Sequence, residues 1–265
     1  MIALVGGTEI AYDDVGSGLP VVFLHAFPLN RTMWDPQVTA LVGESRCIAI
    51  DLRGLGDSKS GREAYSMDRY ADDVADVLDT LHIERAVVAG LSMGGYVAFA
   101  LWRRHRERIR ALILADTRAT ADTPETAERR RELIRVAQTQ GMTAVANAQI
   151  TGLVGKTTRE RRPDIYDATH RMIAQAPVNG VIGALHALME RPDSTATLAT
   201  IDVPTLVVCG DEDVLTPPKD AAELADSIRG SRFEVLQGAG HLSNVERPAA
   251  FNTVVSEFLA SLLYN

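Results

Sequence analysis

Two hydrophobic rhythms alternate along the chain. The first is a short, β-rich run: "PVVFLHAF" (20–27), "RCIAID" (46–51), "AVVAGL" (86–91), "IRALILAD" (109–116), "VPTLVVCG" (203–210) and "RFEVLQ" (232–237), with "TEIAYDDV" (8–15) as an earlier strand. Apolar runs of this length, mostly without alternation, suit strands covered on both faces. The second rhythm is helical. From Ser66 to Leu81 the apolar positions Met67, Tyr70, Ala71, Val74, Val77, Leu78 and Leu81 form one stripe. Ser66 is placed to cap that helix, and Asp68, Asp72 and Asp73 suit its positive end. Near the C-terminus Pro248 can open a helix whose buried face is Phe251, Val254, Val255, Phe258, Leu259 and Leu262. Strands alternating with helices predict an α/β fold with a mostly parallel sheet and helices on both faces.

Strand-like runs stop between Thr117 and Arg191. Four helical stretches replace them: Pro124 to Thr139, Met142 to Thr151, Thr158 to Gln175, and Val178 to Glu190. This predicts an all-helical cap, residues 117–191, inserted into a core made of residues 1–116 and 192–265. Internal repeats and low-complexity tracts are absent.

Composition narrows the function class. A chain of 265 residues fits one well-filled domain with an insertion. The net charge of −8 argues against nucleic acid or an anionic membrane as the main partner. Cys47 and Cys209 lie in apolar runs and read as buried free thiols. The start, "MIALVGGTEI", lacks the basic flank and apolar length of a signal peptide, and no run reaches membrane-spanning length. The expectation is a cytoplasmic protein, with oligomeric state left open. Arg129, Arg130 and Arg131, beside Glu128 and Glu132, read as a solvated helix face. The alternative is one arginine turned inward to hold an anionic substrate.

The chemistry centres on "VVAGLSMGGY", Val87 to Tyr96. Strand, Gly-Leu-Ser-Met-Gly, then helix is the pattern of a nucleophile elbow. The turn is tight enough that side chains at Gly90 and Gly94 would collide with the neighbouring strand and helix. Ser92 then projects from the C-terminal edge of the sheet, with free helix N–H groups behind it. A serine hydroxyl needs a base, and the base needs a carboxylate to orient it. The chain order Ser, acid, His points to His241, in the Gly-rich loop "LQGAGHLSNVERP", as the base. The loop "GDEDVLTPP" offers Asp211, Glu212 and Asp213 as acids, and spacing does not choose among them. Asp116 is a weaker alternative. Met93 N–H and, from "HAFPL", Phe27 N–H are the expected oxyanion donors, because Pro28 has none. Trp34, Leu215 and Leu242 are candidate walls of an apolar substrate pocket. No metal or organic cofactor is implied.

With these residues assembled, the chain resembles the α/β-hydrolase superfamily over nearly its whole length. The resemblance rests on "HAFPLNRTMW", "DLRGLGDS", "GLSMGG", "GDEDVLTP" and "GAGH". It implies an eight-stranded sheet with an inserted helical lid. The family's G-x-x-D-x-x-x-P pattern falls on Gly210, Asp213 and Pro217, which selects Asp213 as the acid. It further implies that Asp51 and Arg53 brace loops and that His25 anchors the oxyanion loop. Ala26 departs from the usual glycine after His25, and a positive φ there would displace the Phe27 donor. Serine at position 92 disfavours dehalogenase and epoxide hydrolase chemistry, which the family runs on aspartate. The nearest resemblance is to small carboxylesterases, 3-oxoadipate enol-lactonases and cofactor-free perhydrolases. The expected substrate is a small ester, with lactone hydrolysis or perhydrolysis as alternatives. A ligand receptor on a hydrolase scaffold is the alternative from another class.

Overall fold

A computed structural model of the chain describes residues 1–61 and 63–263. Eight strands form one sheet: β1 (Ile2–Val5), β2 (Thr8–Val15), β3 (Leu19–Leu24), β4 (Ser45–Ile50), β5 (Ala86–Leu91), β6 (Ile109–Ala115), β7 (Thr205–Gly210) and β8 (Arg232–Leu236). Their order is β1-β2-β4-β3-β5-β6-β7-β8. The pairs β1–β2 and β2–β4 are antiparallel, and every later pair is parallel. β1 is the strand that apolar runs did not reveal. It is four residues long with alternating exposed and buried positions, as an edge strand with one solvated face should be.

The crossovers decide which face each helix covers. From β3 the chain passes through α1 (Asp35–Leu41) to β4 on one side, then through α2 (Met67–Thr80) to β5 on the other. Right-handed crossovers running in opposite directions place α1 and α2 on opposite faces. α3 (Met93–His105) joins β5 to β6 in the second direction and packs on α2. Ser66 caps α2 as expected, its hydroxyl accepting Arg69 N–H at 3.0 Å. Of the three acids only Asp68 lies in the first turn; Asp72 pairs with Arg104, and Asp73 is not at the helix start either. It is buried and paired with Arg53, which also donates to Thr8.

Six helices lie between β6 and β7: α4 (Pro124–Gln140), α5 (Met142–Leu153), α6 (Lys156–Arg161), α7 (Pro163–Ala174), α8 (Val178–Glu190) and α9 (Thr195–Leu198). The stretch Thr158 to Gln175, read as one helix, is two. Pro163 has no N–H to continue α6 and drives Arg162 to φ −133°, ψ 63°, outside the helical region. After β7 come α10 (Pro218–Asp226), β8, α11 (Ser243–Glu246) and α12 (Pro248–Ser261), which packs on α1. Cys47 and Cys209 are buried and unpaired. Among the described residues no single helix is long and apolar enough to cross a membrane.

The parallel strands end nearly level. Leu24 lies opposite Gly90, Leu91 opposite Ala115, and Gly210 opposite Leu236. The segments that follow β3, β5, β6, β7 and β8 therefore leave from one edge of the sheet. That is where α/β sheets gather functional loops.

Candidate active site

Ser92 stands alone between β5 and α3, at φ 53° and ψ −111°. This is the left-handed half of backbone space, costing about 1–3 kcal/mol for such a residue. The surroundings hold it there. Its N–H donates to Ala115 O at 2.9 Å, and its carbonyl accepts Gly95 N–H and the Thr117 hydroxyl, both at 2.9 Å. The adjacent glycines are needed for clearance. A β-carbon on Gly90 would overlap the Gly94 carbonyl, and one on Gly94 the Leu24 carbonyl.

The loops after β7 and β8 bring two side chains to this serine. His241 Nε2 lies 2.8 Å from Ser92 Oγ, and His241 Nδ1 lies 2.8 Å from Asp213 Oδ2. His241 and Asp213 are both buried. Asp213 Oδ1 accepts Leu215 N–H at 2.8 Å and Thr216 N–H at 3.0 Å, while the Thr216 hydroxyl donates to Oδ2 at 2.5 Å. Burial disfavours the Asp213 charge, but His241 and the Thr216 donors outweigh it and hold the carboxyl below the usual carboxylate range. An ionised Asp213 accepts only, so the imidazole carries its proton on Nδ1. Nε2 is left to accept the Ser92 hydroxyl.

Of the loop acids, Asp213 alone meets the histidine. Asp211 accepts Gly238 N–H at 2.6 Å. Glu212 accepts Thr157 N–H at 2.7 Å and also the Thr157 hydroxyl. Asp116 is buried at φ 44° and bonds Gly210 N–H at 2.9 Å and the Ser243 hydroxyl at 2.5 Å. Burial, reinforced by the Asp213 charge, pushes its carboxyl well above the carboxylate range.

Beside Ser92 the amides of Phe27 and Met93 have no acceptor among the described residues, and both residues line the cavity that holds the serine. Ala26 is not among the residues with positive φ, so the alanine carries no strain there. His25 secures the loop. Its Nε2 accepts Leu52 N–H at 2.9 Å and its Nδ1 donates to Ala26 O at 2.9 Å. Burial pushes its imidazole below the ordinary histidine value, consistent with that neutral tautomer.

The cavity is about 340 Å³. Leu133, Leu153 and Leu188, from α4, α5 and α8, supply apolar wall, and Leu215 lines the cavity beside them. Trp34 and Leu242 do not line it. Trp34 is fully buried against Phe23 and Phe251, with ring centroids 5.2 and 6.0 Å away, and Leu242 is equally buried. Both are core residues. Arg118, Arg129, Arg130 and Gln149 add polar wall. Among the described residues no cluster of three or more His, Cys, Asp or Glu is placed to hold a metal ion.

A sequence family described as "alpha/beta hydrolase fold" matches residues 20–248. The chain belongs to the α/β-hydrolase family. Among solved structures, it is similar to a thermophilic esterase from Thermogutta terrifontis, determined with malate bound. That likeness has a TM-score of 0.95 and 38% identity, over 99% of this chain and 98% of that one. The enol-lactonase from Burkholderia xenovorans LB400 gives a TM-score of 0.91 and 33% identity, over 98% of this chain and 100% of that one. Among characterised sequences, 3-oxoadipate enol-lactonase 2 of Acinetobacter baylyi is 32% identical over 235 residues, 89% of this chain and 86% of that protein.

Pattern reading did not single out Thr216 in this α/β-hydrolase, although it lies within the quoted "GDEDVLTPP". Arg118 carries no signal in the sequence. It follows β6 with nothing in its neighbours to mark it, and only the fold turns it to the cavity. Asp51 and Arg53 do brace loops: Asp51 accepts Arg31 N–H at 2.7 Å and Asp57 N–H at 2.8 Å.

Proposed function

We propose that this α/β-hydrolase is a serine hydrolase that cleaves small carboxylic esters through an acyl-enzyme on Ser92. The observation that carries the reading is the unbroken line Asp213–His241–Ser92, with 2.8 Å at each link to the imidazole, ending at a cavity with two unengaged amides. Ser92 Oγ attacks the ester carbonyl carbon as its proton passes to His241 Nε2. Asp213 holds the ring and offsets the imidazolium charge. The carbonyl oxygen, now negative, accepts from Phe27 N–H and Met93 N–H. Collapse breaks the bond to the alcohol oxygen, which leaves with the proton from Nε2. Water repeats the sequence and frees the acid. Each oxyanion donor contributes about 10²–10³ in turnover at comparable sites. Residues 117–191 serve as the lid, since leucines from three of their helices line the cavity. Replacing Ser92 by alanine should leave the fold intact and lower p-nitrophenyl acetate turnover by roughly 10⁴-fold or more. Undiminished turnover would overturn the mechanism.

One observation favours a second substrate, a lactone bearing a carboxylate. In a chain of net charge −8, the cavity is lined by three arginines and no Asp or Glu. Arg130 is held by Asp122, and Arg118 donates to Leu215 O at 2.8 Å. Arg129 has no ion pair within 4.0 Å among the described residues and stands exposed at the cavity wall, so of the basic cluster it is the arginine placed to meet an anionic substrate. The likeness to enol-lactonases supports the same substrate.

A further inference from the structure

The loops carrying the acid and the base both reach across to one short piece of the helical segment, the entry to α6. Glu246, in α11, is only 1% exposed. Its Oε1 accepts Gly240 N–H at 3.0 Å and Leu242 N–H at 3.2 Å, the amides on either side of His241. Its Oε2 accepts Gly155 N–H at 2.8 Å. A carboxylate this buried is costly unless its lone pairs are met, and here three backbone donors meet them. On the acid side Glu212, next to Asp213, takes Thr157 N–H at 2.7 Å and the Thr157 hydroxyl. Partial burial opposes its charge, but the Thr157 donors with Arg247 and Arg159 hold the Glu212 carboxyl below its ordinary range.

The backbones themselves are in contact. A β-carbon on Gly155 would sit 2.6 Å from Glu212 Oε2 and 2.7 Å from Gly240 N, while one on Gly240 would overlap Gly155 N. Glycine at both positions lets the α6 entry lie directly on the histidine loop. Two carboxylates thus join three separate loops: Glu246 ties Gly155 to the amides flanking His241, and Glu212, the residue before Asp213, ties its own loop to Thr157.

We propose that Glu246 and Glu212 are positioning residues, clamping the loops of His241 and Asp213 to Gly155–Thr157 so that the helical segment sets the alignment of His241 with Ser92. The proposal rests on the reading of Ser92 as nucleophile and His241 as its base. Neither glutamate lines the cavity. Glu246 acts through the amides flanking His241, and Glu212 through Asp213 beside it.

Glu246→Gln tests this with little change of shape. The amide keeps one acceptor and turns an NH₂ toward a backbone N–H, so either the Gly155 link or the link to the histidine loop is lost. Gly155→Ala attacks the same junction from the helical side. The readouts are kinetics on p-nitrophenyl acetate, the rate of fluorophosphonate labelling at Ser92, the low-field proton resonance of His241 Nδ1–H, and thermal melting. Both variants should label and turn over about 10²-fold more slowly, the penalty of roughly 1 Å misplacement, and the histidine resonance should shift or broaden. KM for this small ester should stay within about twofold. Where Glu246→Gln does not fold, Glu212→Gln, at a less buried side chain, carries the same test. Variants that melt lower yet keep the parent labelling rate and histidine resonance would show a structural role only and overturn the proposal. A parent that fails to label at Ser92 would instead overturn the nucleophile reading, and the proposal with it.

Discussion

Ser92 is held by the backbone packed around it, whereas Arg129 stands exposed at the cavity wall. Ser92 was legible because its constraint is local: glycines two before and two after it mark a turn too tight for β-carbons. Arg129 was ambiguous because an exposed arginine in a charged helix looks the same whether it faces bulk water or a cavity mouth. Trp34 reads as a pocket wall for the corresponding reason. An aromatic residue beside a site loop can point either way, and packing against Phe23 and Phe251 settles it inward. The Arg129 assignment makes a prediction at this scale. Arg129→Ala should raise KM about tenfold for a carboxylate-bearing half-ester, such as monomethyl adipate, and leave a neutral methyl ester unaffected. An equal effect on both esters would return Arg129 to the solvated face.

At the scale of elements, strands and most helices could be read because burial imposes a period on them. The failures have definite causes. β1 is short and half solvated, so its signal is weak. The α6–α7 break turns on a single proline that an apolar stripe conceals. The network that joins the two ends of the helical segment and sets it on α3 has no sequence signal, because its parts are distant along the chain. Asp122, with its side chain 2% exposed, pairs with Arg130 of α4 and with Arg191 after α8. Arg191 also donates to Thr120 O at 2.9 Å and stacks 4.2 Å above the Tyr96 ring of α3. Burial opposes the Asp122 charge, but the two guanidiniums prevail and hold its carboxyl below the ordinary 3.8. A folded-state value below the unfolded one means the unfolded chain binds the proton more readily. Stability from this group is therefore fully present above pH 3.8 and is lost as pH falls through the lower folded value. Asp122→Asn should cost about 3 kcal/mol at neutral pH, with the gap to the parent closing in acid. Denaturant melts across pH measure it, and a gap independent of pH would contradict the ion-pair account.

For the whole molecule, the sheet turns local signals into a site. β5, β7 and β8 deliver Ser92, Asp213 and His241 to one edge because their C-terminal ends are level. The fold class and the serine and histidine positions were legible because elbow and Gly-rich loop have sequence signatures tied to that edge. The choice of Asp213 over its neighbours needed the resemblance, since three acids in a row share one local environment. The cavity's cationic lining needed the fold. The most direct measurement is to mix the protein rapidly with p-nitrophenyl acetate, quench in acid and map the acetyl group by peptide mass spectrometry. The account predicts one acetyl ester, on Ser92, formed as p-nitrophenol is released and absent in Ser92→Ala. Release of p-nitrophenol at the full rate with no adduct on Ser92, or with the acetyl group elsewhere, would contradict it.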